Sequence, residues 1–286
     1  MISLARRECN SDFLKFLTRL YFVRPKLTYS CCILSLFEIG MEKNMKIYEG
    51  TLKVYLLKDL YNANYREKIS ALIDKSFTVT EEMKNFHRRR EQKGYVFNGF
   101  FDKCKKTKDF KYPEGSVYSV RVRSVSEDLM KFFRTNLAKT RTQELQALSF
   151  EYRTLPDTVV KTLYSITPAV CKFEDGYWQK SHTVDDILKR IEQNARKKLA
   201  LLGESVPEDI DFVIGFKKLN EYPIVCEYNR KGDNESDFPK IKLLCDKFEL
   251  EVSPNESSQK LAKAVIGAGM LEMNARGFGY VNVKTV

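Results

Sequence analysis

Val117-Tyr118-Ser119-Val120-Arg121-Val122-Arg123 runs directly into Ser124-Val125-Ser126-Glu127, and these two stretches decide how the rest of the chain is read. The first reads as a strand with apolar and polar residues on opposite faces. In the second, Ser124 stands three residues ahead of Glu127. Hydroxyl and carboxylate at that spacing can satisfy one another's orphan backbone amides, which predicts a helix over Ser126 to Leu137. A strand near Ala147 to Thr154 follows.

Toward the N-terminus, a strand is expected at Tyr95 to Phe101 and a short helix opened by Thr80, with Glu81 and Glu82 in its first turn. Before these come a helix over Asn64 to Phe77 and a strand over Lys46 to Leu57. The order is β-α-β-β-α-β, the ferredoxin-like or RRM-like unit, in which four antiparallel strands carry both helices on one face. The opposite face is left for a ligand, and RNA-binding domains often use it.

The second half begins in the same way. A strand is expected at Lys161 to Phe173, an amphipathic helix at Val184 to Leu202 ended by Gly203, and strands at Phe212 to Leu219 and Pro223 to Tyr228. A long strand over Lys240 to Val252, a helix over Glu256 to Gly267 and a last strand at Tyr280 to Lys284 complete it. The fold class is therefore α+β, with two ferredoxin-like units in tandem, 45–157 and 158–286. Residues 1–44 differ in texture and precede Met45, so they are expected to be an extension outside the native domain, either a tail or the product of an upstream start codon.

Composition narrows the partners. Lys and Arg number 49 against 38 Asp and Glu, a net charge of +11 that favours polyanions and puts nucleic acid first. The seven cysteines contain no C-x-x-C pair and no His/Cys spacing suited to zinc, which speaks against a structural metal and for reduced thiols in a cytoplasmic protein. The longest apolar run, Leu27 to Ile39, falls short of the roughly 20 residues that a membrane helix needs, and 1–26 lacks the pattern of a secretory signal. P-loop, dinucleotide and nucleophile-elbow motifs are absent, as is a metal-binding carboxylate cluster.

Two stretches carry the chemistry. Gly269-Met270-Leu271-Glu272-Met273-Asn274-Ala275-Arg276-Gly277-Phe278-Gly279 lies between a helix and a strand. Clustered glycines there let backbone amides approach a phosphate, with Arg276 beside them; a helix C-cap and a tight turn are the plainer reading. The other is Phe86-His87-Arg88-Arg89-Arg90, just before Lys93-Gly94-Tyr95. Cations around an imidazole would keep it neutral enough to accept a proton, although an exposed histidine at a helix end is the commoner case. From Lys84 to Lys108, basic residues that include Lys103, Lys105 and Lys106 interleave with aromatic rings, a composition suited to phosphates and unpaired bases. About half of those rings are expected in the core.

These stretches resemble the CRISPR-associated protein 6 family of endoribonucleases, which process precursor repeat RNA. That family ends in a loop of the form G-x-G, five residues, then G-F-G. Gly269, Gly277, Phe278 and Gly279 stand at the matching spacing, with Leu271 in place of the second glycine and Met273 where lysine is frequent. Val117 to Arg123, Phe132 and Phe133, and Tyr164-Ser165-Ile166-Thr167-Pro168 extend the likeness over most of the chain from Met45 to Lys284.

The resemblance implies a catalytic His at His87, after the first helix and before the second strand, with Lys93 as its companion. Family members often add a Tyr on the first helix; here Asp74 or Ala71 is near that position, and Tyr65 lies a turn or two earlier. The implied activity is cleavage of CRISPR repeat RNA by 2′-OH attack, without metal or other cofactor. Arg88, Arg89, Arg90, Lys103, Lys105, Lys106, Arg276 and the glycine loop would hold the RNA. The resemblance also admits association with other Cas proteins, a homodimer, and a noncatalytic RNA-binding subunit of an effector complex.

Overall fold

Alternating burial along the first strand sets the architecture. In the computed structural model, which describes residues 45–89, 92–101, 111–171, 173–228 and 241–286, β1 (Tyr48–Leu56) buries Leu52, Val54 and Leu56 and exposes Lys53 and Tyr55. Next come β2 (Leu60–Tyr61), α1 (Tyr65–Ser76), α2 (Glu81–Arg88), β3 (Tyr95–Phe100), β4 (Lys111–Tyr112), β5 (Val117–Ser124), α3 (Glu127–Thr135) and β6 (Leu145–Thr154). Four of these strands form an antiparallel sheet in the order β3-β5-β1-β6. The first and third main strands lie in the middle, as in ferredoxin-like units. Strands β2 and β4 pair separately as a short ribbon.

The second half repeats the plan. Its elements are β7 (Val160–Ser165), α4 (Val184–Ala200), β8 (Val213–Lys218), β9 (Ile224–Tyr228), β10 (Ile241–Cys245), β11 (Phe248–Val252), α5 (Glu256–Ala268) and β12 (Val281–Thr285). The sheet order is β12-β7-β11-β8, again with the first and third main strands central, while β9 and β10 form an inserted hairpin.

Each sheet has its own core. Ile69, Leu72 and Ile73 of α1 and Met130 and Phe133 of α3 pack on Leu52, Val54, Val120 and Val122. Ile187, Ile191 and Leu199 of α4 and Leu261 and Val265 of α5 pack on Leu163, Phe248 and Leu250. Full burial of one such side chain contributes about 1.5 to 3 kcal/mol. Among the described residues, no helix is long and apolar enough to cross a membrane.

Helix α5 also reaches the first sheet, packing against β3 and β5. Gly267 permits this approach, because a Cβ there would meet a methyl carbon of Val125 at 2.4 Å. Opposite, Arg123 of β5 donates from Nε to Glu49 Oε2 at 2.9 Å and from Nη1 to the Val281 carbonyl at 2.6 Å. Tyr280 adds its hydroxyl to Glu49 Oε2 at 3.3 Å. An ion pair buried in the first sheet therefore fastens the last strand of the second.

Three local expectations need correction. Helix α3 is capped by Ser126, whose oxygen accepts from the Leu129 amide, while Ser124 bonds to Gly94 O and the Ser126 amide. The expected capping residue was two positions too early. The strand expected over Lys161 to Phe173 ends at Ser165, after which Thr167 and Pro168 bond to the returning chain at Tyr280 and Gly279. The strand expected over Lys240 to Val252 is two strands in different sheets, parted at Asp246. Asp246 accepts from Tyr177, Trp178 and Asn220, and these bonds fix the break. The expected extension, 1–44, lies outside the described residues.

Candidate active-site cleft

A cleft of about 630 Å³ lies between the last turn of α1, helix α2 with its connector to β3, and the glycine-rich loop after α5. Helix α2 supplies the histidine, and Thr80 starts that helix by accepting the Met83 amide, as its sequence position predicts. His87 then falls in the last turn, stacked on Phe77 with ring centroids 5.7 Å apart. Phe77 belongs to the first core, so the imidazole rests on a rigid floor.

The charged group facing the imidazole is a carboxylate. His87 Nδ1 lies 3.4 Å from Asp74 Oδ1, and Asp74 Oδ2 is 3.0 Å from Arg276 Nη1. The same Nη1 donates to Ser70 Oγ at 3.0 Å, and that hydroxyl donates to the Ala275 carbonyl at 3.3 Å. Ser70 and Asp74 are four apart on α1 and share one face. An imidazole backed by a carboxylate is oriented, with its other nitrogen directed elsewhere, and a guanidinium beyond the carboxylate holds that carboxylate in place.

Arg88, Arg89 and Lys93 line the same cleft, and both arginines are exposed. Lys93 is not placed as the resemblance implied. Its Nζ donates to the carbonyls of Phe86 and Arg89, 2.5 Å from each, and lies over the Phe86 ring. A cation at the C-terminal carbonyls stabilises the end of α2, so Lys93 holds the histidine's helix. Arg276 likewise anchors Asp74 rather than reaching outward alone.

Tyr65 is not brought to the histidine. It opens α1, nine residues before Asp74, which separates them by about 13 Å along the helix. Its ring packs against Phe100 and Tyr112 with centroids 5.4 and 5.2 Å away, over Gly99, where any Cβ would collide with the phenol. Burial pushes its phenol pKa up. Arg90, Lys103, Lys105 and Lys106 lie outside the described residues. Of the interleaved rings, Tyr95 and Phe97 are core, and Phe101 lies under Arg121 at 4.6 Å.

The glycine loop serves a different purpose from the phosphate nest considered above. Gly269, Gly277, Phe278 and Gly279 are all buried. Amides of Met270, Glu272, Gly277 and Gly279 are donated to carbonyls within the chain. Gly279 has φ of +69°, and a Cβ there would stand 2.0 Å from the Met270 carbonyl oxygen. Phe278 lies under the Arg66 guanidinium at 5.1 Å and packs with Cys226 and Cys245 of the inserted hairpin. What the loop presents to the cleft is Leu271, Glu272, Met273, Asn274, Ala275 and Arg276. Leu271 takes φ of +57°, so the left-handed backbone persists where glycine is replaced, and Met273 is left-handed too at +59°.

Two groups of this site were missed in the sequence. Asp74 was noted only as standing where a tyrosine is frequent, yet a carboxylate beside the apolar series Ile69, Leu72, Ile73 and Phe77 was a readable signal. Lys198 was the other. It is buried on α4 and donates to the carbonyls of Gly269 and Leu271, the latter at 2.8 Å. Desolvation holds its pKa well below that of an ordinary lysine. Its place in the stripe Ile187, Ile191, Asn194, Ala195 was the clue. His182, by contrast, stacks on Phe173 at 3.7 Å and bonds Asp175 at the start of α4, a structural place.

No family model and no curated protein sequence matches the chain. Solved structures do. A "CRISPR associated protein Cas6" aligns at a TM-score of 0.59 and 16% identity, covering 83% of this chain and 99% of that one. "An RAMP protein binding different RNA substrates" aligns at 0.58 and 14%, covering 83% and 99%. A structure described as "Characterization of a Cas6-related gene from Pyrococcus furiosus" aligns at 0.56 and 16%, covering 83% and 98%. The chain thus has a Cas6-like fold, two ferredoxin-like units in tandem.

Proposed function

We propose that the chain is an endoribonuclease that cleaves CRISPR repeat RNA within the cleft beside His87. The observation that carries this reading is the relay from His87 through Asp74 to Arg276, in a cleft rimmed by Arg88 and Arg89. With Asp74 at Nδ1, the Nε2 atom is the one to take a proton from a ribose 2′-OH. The 2′-oxygen then bonds to the adjacent phosphorus and the bond to the 5′-oxygen breaks. That oxygen takes up a proton, leaving a 2′,3′-cyclic phosphate and a 5′-hydroxyl, so one proton is removed and one returned. Negative charge on the phosphoryl oxygens would be met by Arg88 and Arg89, whose guanidinium forks suit phosphate. Metal plays no part in this scheme, and DNA, lacking the 2′-OH, would bind uncut.

The deciding experiment incubates purified protein with a repeat RNA in excess EDTA, alongside His87→Ala. Cutting by the parent and a loss of about a hundredfold or more in the variant is the expected result. Cleavage that survives His87→Ala would overturn the assignment of the base.

A second reading, a noncatalytic RNA-binding subunit, is favoured by the commitment of Lys93 to backbone carbonyls and of Arg276 to Asp74, which turns the companion lysine of the resemblance to the end of α2. Binding without cutting by both proteins would select it.

A further inference from the structure

The inserted hairpin of β9 and β10 turns two cysteines toward the same neighbours. Cys226 stands opposite Leu243 and Cys245 opposite Ile224, so the two are diagonal neighbours on one face of the hairpin. Both are buried, and with Val170 and Phe278 they form a small apolar cluster separate from the cores of the two sheets. The two thiols share a hydrogen bond. Bonding the sulfurs therefore asks for rotation of side chains rather than a change of strand partners.

Their surroundings are unequal. The Arg66 guanidinium of α1 donates from Nη2 to Cys226 Sγ at 3.3 Å, whereas Cys245 has the Leu243 carbonyl at 3.7 Å as a further acceptor for its proton. The hydrogen bond from Cys245, and then the charge of Arg66, hold the Cys226 thiol below the ordinary range. That same hydrogen bond, together with burial, pushes the Cys245 thiol up. One sulfur is thus the readier to ionise and the other keeps its proton beside it, the division of labour between an attacking and a resolving cysteine. Cys171, the remaining cysteine among the described residues, is pushed up to about 12 by burial.

We infer that Cys226 and Cys245 form a redox-sensitive pair that hydrogen peroxide converts to a disulfide. The Cys226 thiolate attacks one oxygen of the peroxide, the O–O bond breaks, and hydroxide leaves to take up the proton that Cys226 gave up. The Cys245 sulfur then displaces the hydroxyl of the sulfenic acid, and its own proton departs with that hydroxyl as water. Two thiols are oxidised by two electrons, and one peroxide is reduced to two waters. Access comes from the hairpin itself. It is a two-stranded ribbon outside both four-stranded sheets, and such a ribbon opens locally more readily than a sheet does. The disulfide would also remove the sulfur anion that Arg66 faces, next to Phe278 of the glycine loop, over which the same guanidinium lies at 5.1 Å. None of this depends on the reaction proposed for the cleft.

The test treats reduced, full-length protein with a small excess of hydrogen peroxide at neutral pH, blocks remaining thiols with N-ethylmaleimide in denaturant and maps the peptides by mass spectrometry. The expected product is a cross-linked peptide pair joining Cys226 to Cys245, reversed by dithiothreitol, with Cys171 still blocked as a thiol. In Cys245→Ser, Cys226 is expected to stop at the sulfenic acid and be trapped by dimedone. Arg66→Gln should slow alkylation of Cys226 by iodoacetamide in the folded protein by about fivefold or more, because it lowers the thiolate fraction. The parent protein alone decides the central point if a variant fails to fold. Recovery of Cys226 and Cys245 as separately blocked thiols after peroxide, or oxidation of Cys171 as fast as theirs, would overturn the pair.

Discussion

Asp74 and Arg276 lie 202 positions apart in the chain, yet their side chains meet at 3.0 Å beneath the imidazole of His87. The carboxylate belongs to the first ferredoxin-like unit and the guanidinium to the last loop of the second, so the putting together of the cleft and the packing of the two halves are one event. In the proposed reaction Asp74 is a positioning residue, since it would act on RNA only through the histidine.

Asp74→Asn keeps the shape of the side chain and removes its charge. Cleavage of repeat RNA at single turnover is expected to fall by about tenfold or more, with an altered pH–rate profile, because the imidazole loses the group that orients and stabilises its protonated form. An unaltered profile at an unaltered rate would deny the relay. Tyr65→Phe, in contrast, should cleave within about twofold of the parent, since the phenol lies in an aromatic cluster away from His87.

Gly279 and Gly203 provide a matched pair in stability. Both have positive φ, +69° and +74°, but a Cβ at 279 would meet the Met270 carbonyl oxygen, whereas nothing lies within 4 Å at 203. Gly203→Ala is therefore expected to cost about 1 to 2 kcal/mol, the left-handed penalty alone. Gly279→Ala should cost clearly more, about 3 kcal/mol or above, in urea unfolding. Equal losses would mean that the loop gives way around the new methyl.

The bolt between Glu49 and Arg123 has an acid signature. Burial tends to raise the Glu49 pKa, but the charge and hydrogen bond of Arg123 prevail and the net shift is downward from 4.5. A carboxylate with a depressed folded pKa contributes stability that is present above pH 4.5 and lost as pH falls through the folded value. Thermal stability should drop through that window, and Glu49→Gln should flatten the drop. At neutral pH, Arg123→Met is expected to cost about 3 kcal/mol, because it removes the buried cation from a carboxylate only 6% exposed and leaves it the Tyr280 hydroxyl and the exposed Arg153.

Lys198 has the opposite dependence. Its folded pKa lies well below 10.5 through desolvation, so between the two values the unfolded chain binds a proton that the folded one does not. Stability then rises with pH, by at most about 1.4 kcal/mol per unit, until pH 10.5 is reached. Lys198→Met should abolish that slope in denaturant titrations while loosening the loop, whose Gly269 and Leu271 carbonyls lose their donor. A slope unchanged by the substitution would place the titration elsewhere.

Most elements were legible because their causes are local. Alternation in β1 and β5, the Thr80 cap of α2 and the apolar stripe of α4 each depend on residues within a few positions of one another, and so the doubled β-α-β-β-α-β order was determined by the sequence itself. His87 and Arg276 were legible as residue types in basic surroundings. Their relationship was not, because it depends on how α1, α2 and the terminal loop pack. Only tertiary structure decided that Asp74 faces the imidazole, that Lys93 closes a helix, that Tyr65 sits in a core and that Phe278 is buried. Contacts across such separations leave no periodicity behind; they exist because apolar faces pack together and the polar groups at their border are brought within reach of one another.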